Sequence, residues 1–177
     1  NVNVYSIDPE NSKDLDDAFS IEQINDDQYK ISIYIANVPI VLDSYDLWEH
    51  LTHRISTIYL PEERRTMLPE ILSDNICSLL EDKERFAFTM EVLYDGNTKE
   101  ILPNNISFYN SLICVKKNYV YEEKSLLKSR DYKQLYHITK QLDPNTQDSH
   151  DVISYWMIYM NTQSAKLLYD HKCGLFR

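Results

Sequence analysis

Apolar and polar positions alternate in several short stretches of the first two thirds of the chain, and this period of two indicates β-strands. The strands predicted from the alternation cover residues 2–7, 19–24, 29–36 and 86–93, followed by a long extended stretch over residues 101–115. The polar run Asn25-Asp26-Asp27 predicts the turn between the second and third strands. The first part of the chain is therefore expected to form a sheet.

Helical spacing of apolar residues appears later and becomes dominant after residue 119. Because strands come first and helices later, without an internal repeat, we predict an α+β fold: a mixed, mostly antiparallel sheet with helices packed on it. The helices predicted are a short one capped by Asp43 or Ser44 and running to Leu51, one from Pro69 to Leu80, and the longest over residues 148–172, with Gly174 as its C-terminal cap.

Bulk properties narrow the class of protein. A chain of 177 residues is one domain in length, and its 2 glycines argue against a glycine-rich phosphate loop and a bound nucleotide cofactor. The three cysteines lack zinc-site spacing, and no apolar run approaches the roughly 18 residues of a membrane span. We expect a soluble, cytoplasmic, monomeric protein with no membrane partner, and the opening NVNVYSIDPE is expected to be interior to a longer protein.

The net charge of −10 is unevenly distributed. Residues 1–50 carry 11 acids and 2 lysines, whereas residues 113–140 carry 7 bases and 3 acids. An acidic centre beside a basic stretch suits a metal site that handles a polyanion such as RNA. A solvated acidic face and a solvated basic helix explain the same charges equally well.

Four aspartates, Asp8, Asp14, Asp16 and Asp17, fall within ten positions. Carboxylates this close repel one another unless a cation lies between them, and oxygen ligands suit hard divalent cations. Such a site is suited to metal-assisted phosphodiester hydrolysis. A solvated acidic turn remains an alternative, whereas a calcium loop of the EF-hand type lacks its glycine and its final glutamate when counted from Asp14.

The aspartate segment resembles a known family. Residues 8–18, ending in Asp14-Leu15-Asp16-Asp17-Ala18, are similar to the signature that opens the catalytic domain of ribonuclease II and ribonuclease R, including the exosome relatives of eukaryotes. Further blocks resemble the family in the same order, at residues 33–38, 54–61, 67–79 and 85–87. The resemblance implies that residues 1–177 are the N-terminal portion of a single RNB-type catalytic domain.

The resemblance also implies an activity and a set of site residues. The family's enzymes are 3′→5′ exoribonucleases that hydrolyse single-stranded RNA to nucleoside 5′-monophosphates. The four aspartates fall on catalytic positions that bind Mg²⁺ or Mn²⁺. Tyr59 falls on an aromatic residue that packs against the 3′-terminal base, and a strand-face tyrosine in the core is the alternative interpretation. Arg64 and Arg65 lie near Tyr59 and are candidate phosphate contacts or ordinary loop charges.

Some features depart from the family pattern. Asn37 stands where an aspartate is usual, and Tyr34 stands where a histidine is common. The family's second half, with an arginine that stabilises negative charge and a second aromatic residue, has no counterpart before Arg177, and OB-fold domains are absent too. Two alternatives therefore stay open: a catalytically inactive RNA-binding or scaffold fragment of the same family, and an unrelated calcium-binding or structural domain.

Overall fold

The computed structural model of the chain describes residues 2–51 and 56–174. No helix within these two ranges combines the length and the apolar character needed to cross a membrane. The strands are β1 (Tyr5–Asp8), β2 (Asp17–Gln23), β3 (Gln28–Ala36), β4 (Ile58–Tyr59), β5 (Arg64–Arg65), β6 (Glu84–Asp95), β7 (Glu100–Ile101), β8 (Ser107–Cys114) and β9 (Lys117–Val120). The α-helices are α1 (Val38–Ser44), α2 (Trp48–Leu51), α3 (Lys124–Lys128), α4 (Arg130–Leu142) and α5 (Ser149–Asp170).

Seven of the described strands form one sheet in the order β7-β6-β3-β2-β1-β9, and β8 also pairs with β6. β9 runs parallel to β1, whereas the other strand pairs of this sheet are antiparallel. β4 and β5 form a separate two-stranded hairpin. The predicted α+β fold, with a mixed and mostly antiparallel sheet, is confirmed. Because β1 and β2 are antiparallel, the end of β1 and the start of β2 lie at the same edge of the sheet.

The main core lies between one face of the sheet and the helices α3, α4 and α5. The alternating side chains of the strands supply the apolar face, since every second residue points to the same side. Trp156 of α5 is fully buried there, and its Nε1–H donates to the Thr139 Oγ1 of α4 over 2.9 Å. The other buried side chains of this core are Tyr5, Ile7, Phe19, Ile21, Ile31, Ile33, Met90, Val92, Tyr94, Leu126, Tyr132, Leu135, Ile138, Val152, Ile153 and Met160.

The two helices predicted near the middle of the chain are only partly correct. The helix predicted from Asp43 or Ser44 to Leu51 is confirmed in its last part by α2, but its predicted cap is wrong, because Asp43 and Ser44 end the separate helix α1. The Asn37 side chain caps α1 by accepting from the backbone N–H of Ile40. The helix predicted to run from Pro69 to Leu80 is reduced to a π-helical turn at Leu72–Ile76. Its last residues instead pair with the aspartate segment, since the Leu79 N–H donates to the Leu15 carbonyl over 2.9 Å.

The long C-terminal helix is confirmed over most of its predicted length, with Asp148 accepting from the Asp151 N–H as its N-terminal cap. The predicted cap at Gly174 is wrong. Lys172 occupies the left-handed position after the helix with φ of 54°, and the Cys173 N–H donates to the Leu168 carbonyl over 3.0 Å. The Lys172 N–H also donates to the Tyr169 carbonyl over 2.9 Å, and the two bonds form a Schellman end in which a lysine takes the place that glycine usually fills.

The remaining differences are local. The extended stretch predicted for residues 101–115 is interrupted by a 3₁₀ turn at Pro103–Asn105. β9 extends to Val120, although helical structure was predicted to begin after residue 119. The hairpin of β4 and β5 was not predicted. Arg54, which belongs to one of the resembling blocks, lies outside the described residues.

Candidate metal centre

The aspartate segment connects β1 to β2 at one edge of the sheet. Asp8 ends β1 and pairs in register with Val120 of β9, while Asp17 begins β2 and pairs with Ile35 of β3. The end of β3 holds this connection in place, because the Ala36 N–H donates to the Asp16 carbonyl over 2.8 Å. The four predicted aspartates therefore occupy a strand end, a strand start and the loop between them.

Ser78 holds the middle of this loop in place. Its Oγ accepts from the Leu15 N–H over 3.0 Å and donates to the Lys13 carbonyl over 2.8 Å, and the serine is fully buried. Leu15 itself is buried beneath the loop, beside the apolar side chains of a second, smaller core. Because backbone groups on both sides of Asp14 are tied to the segment after the π-helical turn, the loop has a defined conformation rather than that of a free acidic turn.

Asp8 is 8% exposed and accepts a hydrogen bond from the Ser6 hydroxyl over 2.6 Å at Oδ2. Burial raises the pKa of Asp8 to about 6; the bond from Ser6 opposes this shift, and the nearby charges of Asp16 and Asp14 add to it. Ionised, this carboxylate is therefore less stable than an exposed one unless positive charge is added nearby.

Asp17 shows the same effect more strongly. Its Oδ2 atom is buried and has no hydrogen-bond partner among the described residues. Burial raises the pKa of Asp17 to about 7, and the charges of Asp8 and Asp16 contribute in the same direction. A buried carboxylate oxygen without a partner, close to two further carboxylates, is the arrangement that a hard divalent cation stabilises. The donor set at this edge thus fits Mg²⁺ or Mn²⁺.

Asp16 and Asp14 lie nearer to the surface. The pKa of Asp16 is raised, first by partial loss of hydration and second by the charge of Asp14. Asp14 is held by the β4–β5 hairpin: Arg64 Nη1 lies 2.9 Å from Asp14 Oδ1, and the Tyr59 hydroxyl donates to Asp14 Oδ2 over 3.4 Å. Both oxygens of Asp14 therefore face the hairpin.

The three predicted RNA-binding residues have different surroundings. Tyr59 is 70% exposed, with its ring free to meet a ligand and its hydroxyl at Asp14. Arg64 is half-buried and bridges Asp14 and Asp74. Arg65 is exposed and pairs with Glu63 over 2.7 Å, away from the aspartates. The hairpin thus brings Tyr59 and Arg64 to the cluster and leaves Arg65 outside it, while contact of any of them with RNA stays a prediction.

Sequence reasoning missed the residues that support the cluster from β9. The Asn118 side chain donates to the Ser6 hydroxyl over 2.9 Å and to the Leu79 carbonyl over 3.0 Å, and Ser6 in turn donates to Asp8. Tyr121 follows β9, and burial raises its pKa to about 12, with the charges of Asp17 and Asp8 adding to the shift. Because these residues are more than a hundred positions from Asp8, no local pattern could indicate their role.

A second group of possible metal ligands lies at the start of α5. Among the described residues, Asp148, His150 and Asp151 form the one set of three whose ligand atoms all lie within 4.8 Å of one another, so the four aspartates of the sheet edge are not drawn together as tightly. The carboxylates at α5 already cap the helix: Asp148 accepts from the Asp151 N–H, and Asp151 accepts from the Gln147 N–H over 2.7 Å. The N-terminus of a helix also favours anions over cations, so we assign this group to capping.

The fold of the chain is similar to that of RNB-type exoribonuclease structures. The chain is similar to the structure of the Dss1 exoribonuclease from Candida glabrata, with a TM-score of 0.80 and 18% identity over 98% of this chain and 29% of that one, a likeness of fold alone. It is also similar to Mycoplasma genitalium RNase R in complex with ribose-methylated single-stranded RNA, with a TM-score of 0.59 and 26% identity over 87% of this chain and 22% of that one.

The RNB domain model matches residues 1–143, and the chain belongs to the RNB family. It is 35% identical to Ribonuclease R of Aquifex aeolicus over 122 residues, which are 67% of this chain. The chain spans 17% of the length of that relative. The match ends before α5, and the prediction that residues 1–177 are one portion of a single catalytic domain stays a prediction.

Proposed function

We propose that this chain supplies the metal-binding aspartates of a 3′→5′ exoribonuclease, which hydrolyses single-stranded RNA to nucleoside 5′-monophosphates. Membership in the RNB family supports the class of reaction, and the similarity to an RNase R that was solved with single-stranded RNA supports the substrate. The observation that carries the proposal is the buried Oδ2 of Asp17, which has no partner among the described residues and lies at an edge shared with three further aspartates.

In this proposal Asp8, Asp14, Asp16 and Asp17 hold Mg²⁺, or Mn²⁺ in its place. When bound, the ion activates water for attack and offsets the negative charge of the phosphodiester. The chain's own contribution is to fix the carboxylates. Ser6 and Asn118 orient Asp8, and the tied loop between β1 and β2 presents Asp16 and Asp17 together.

The β4–β5 hairpin would position the RNA. The exposed ring of Tyr59 offers a stacking surface for a base, and stacking tolerates any base. Arg64 lies next to Asp14, where a phosphate that approaches the aspartates would meet its guanidinium group. Arg65 has no comparable position, so we assign it to the surface of the hairpin.

A second candidate function is RNA binding without hydrolysis. It is favoured by the state of Arg64, whose guanidinium group already bridges two carboxylates and so contributes less positive charge to a transition state.

The two candidates are separated by incubating the chain with single-stranded RNA labelled at the 3′ or the 5′ end, in Mg²⁺ or in EDTA. We expect shortening from the 3′ end in Mg²⁺ alone, abolished in Asp16→Asn and retained in Asp26→Asn, which changes an exposed turn aspartate outside the cluster. If this chain does not cleave RNA but a form extended beyond Arg177 does, the added segment supplies the positive charge that hydrolysis requires. Binding without cleavage by both forms would contradict the hydrolase.

A further inference from the structure

The outward face of α4 is lined by basic residues. The exposed residues of this helix are Arg130, Lys133, His137 and Lys140, and each of its other residues is half-buried or buried. Their spacing of three, four and three residues places them along one side of the helix, since α-helical neighbours recur every 3.6 residues. We call these four residues the basic strip.

The opposite face of α4 fixes the strip to the body of the domain. Tyr132, Leu135, Ile138 and Thr139 are buried against the sheet and α5, and the Ser129 hydroxyl caps the helix by accepting from the Tyr132 N–H. A helix anchored in this way cannot rotate its charged side inward. The basic strip is therefore a fixed surface of the fold.

Few contacts among the described residues neutralise the strip. Arg130 and Lys133 form no ion pair among the described residues, and Asp131, the one acid of the helix, accepts instead from Asn3 over 2.7 Å. Lys140 is partly engaged, because its ammonium group donates to the Thr146 carbonyl over 3.1 Å. Two further exposed lysines lie at the ends of α3, which contacts α4, namely Lys124 and Lys128.

The chemistry of the face selects its partner. Stable protein interfaces and membrane-surface helices both need apolar anchors, and no residue of α4 is among the large apolar side chains that are exposed in the described part of the chain. Leu127 of α3 is the nearest one along the sequence, at 42% exposure. A surface of cations without an apolar centre suits a ligand held by counterion release, which is the main source of affinity for nucleic-acid backbones.

We propose that the basic strip binds the phosphate backbone of RNA at a position separate from the aspartate cluster. The inference rests on the proposed function for the identity of the polyanion. The strip has a boundary on the side of Lys133, where Glu122 and Asp148 line a cleft of about 280 Å³ together with Tyr136. A bound strand would thus follow the outward side of α4 toward α3 and contact phosphates rather than bases.

The test is the salt dependence of RNA binding. A fluorescent oligoadenylate is titrated with the chain in EDTA, which prevents cleavage, over a series of NaCl concentrations. For Arg130→Gln with Lys133→Gln we expect the slope of log K against log salt to become shallower by about 0.7 for each phosphate that the variant no longer neutralises, or about 1.4 in total. A matched double variant, Lys99→Gln with Lys166→Gln, removes two exposed lysines elsewhere and should keep the original slope.

Two further measurements decide the remaining outcomes. Lys133→Arg keeps the charge and should keep the slope, whereas equal slopes for both double variants would overturn the proposal. The same titration is made with poly-L-glutamate and with phosphatidylserine vesicles. If the strip variant no longer binds one of these but still binds RNA like the wild type, the strip binds that other polyanion and the proposal is wrong. If the wild type cleaves RNA and the strip variant keeps the wild-type slope, the proposal for the basic strip fails and the proposed function stands. If the wild type does not bind RNA at all, RNA as the substrate is refuted as well.

Discussion

The buried carboxyl of Asp17 should make the metal-free chain less stable as the pH rises. The pKa of Asp17 is raised from 3.8 to about 7 in the folded chain. A group with a raised carboxyl pKa favours folding in its protonated form, so its penalty is absent below about pH 4, grows as pH rises toward 7 and is complete above that. Three pKa units correspond to roughly 4 kcal/mol of lost stability at about pH 8, as an upper bound.

Asp17→Asn removes this penalty while keeping the shape of the side chain. The new amide places an N–H₂ or a carbonyl where Oδ2 has no partner among the described residues, and an unsatisfied buried polar group costs about 1–3 kcal/mol. The net gain at about pH 8 is therefore about 2 kcal/mol, which raises the melting temperature by roughly 4–8 °C in a domain of this size. At about pH 4 the variant should be no more stable than wild type.

Thermal unfolding followed by circular dichroism in EDTA measures this effect between about pH 4 and pH 8. Asp26→Asn, in the exposed turn before β3, serves as the control for loss of one negative charge. Adding Mg²⁺ should stabilise wild type more than Asp17→Asn, because a ligand that binds the folded state alone raises its stability. The reasoning is refuted if Asp17→Asn melts at or below the wild-type temperature at about pH 8 in EDTA while it matches wild type at low pH.

Three other substitutions test separate contacts. Arg64→Met should tighten Mg²⁺ binding several-fold in calorimetry, by about 1 kcal/mol, because the guanidinium group that competes for Asp14 is removed. Arg65→Met should leave the affinity unchanged, and equal effects of the two substitutions would contradict the assigned contacts. Tyr59→Ala should weaken single-stranded RNA binding by about 1–3 kcal/mol, with Tyr59→Phe close to wild type in the same anisotropy titration. Trp156→Phe removes the buried bond to Thr139 and should lower the free energy of unfolding by about 2 kcal/mol in urea; an unchanged midpoint would contradict it.

The sequence predicted the sheet well because its strands are specified locally. The turn at Asn25-Asp26-Asp27 and the alternation on either side of it leave one register for β2 and β3, and the structure has that hairpin. The helix expected from Pro69 to Leu80 failed for the opposite reason. Its apolar spacing is helical, but Ser78 and Leu79 form hydrogen bonds with the aspartate loop, and tertiary bonds of this kind override a weak local preference.

The candidate site divides in the same way. The crowding of the four aspartates within ten positions was enough to predict one shared metal site, and the structure places these residues at the junction between β1 and β2. Nothing local could show that Arg64 pairs with Asp14, or that Asn118 supports Asp8 through Ser6. Those contacts depend on where the hairpin and β9 dock against the sheet. Long-range pairing, rather than residue type, decides which of two adjacent arginines reaches the cluster.

The acidity of the chain is compatible with RNA binding because its acids and its bases are concentrated in different parts of the sequence. The acids that dominate residues 1–50 include the cluster at the sheet edge, where a bound cation would reverse the local repulsion of phosphate. The basic strip lies on the outward side of α4, away from the buried face of that helix. Substitutions in the two places should therefore have independent effects. Asp16→Asn should abolish cleavage without altering the salt dependence of RNA binding. Substitution of Arg130 and Lys133 should make that salt dependence shallower without abolishing cleavage of RNA that is already bound.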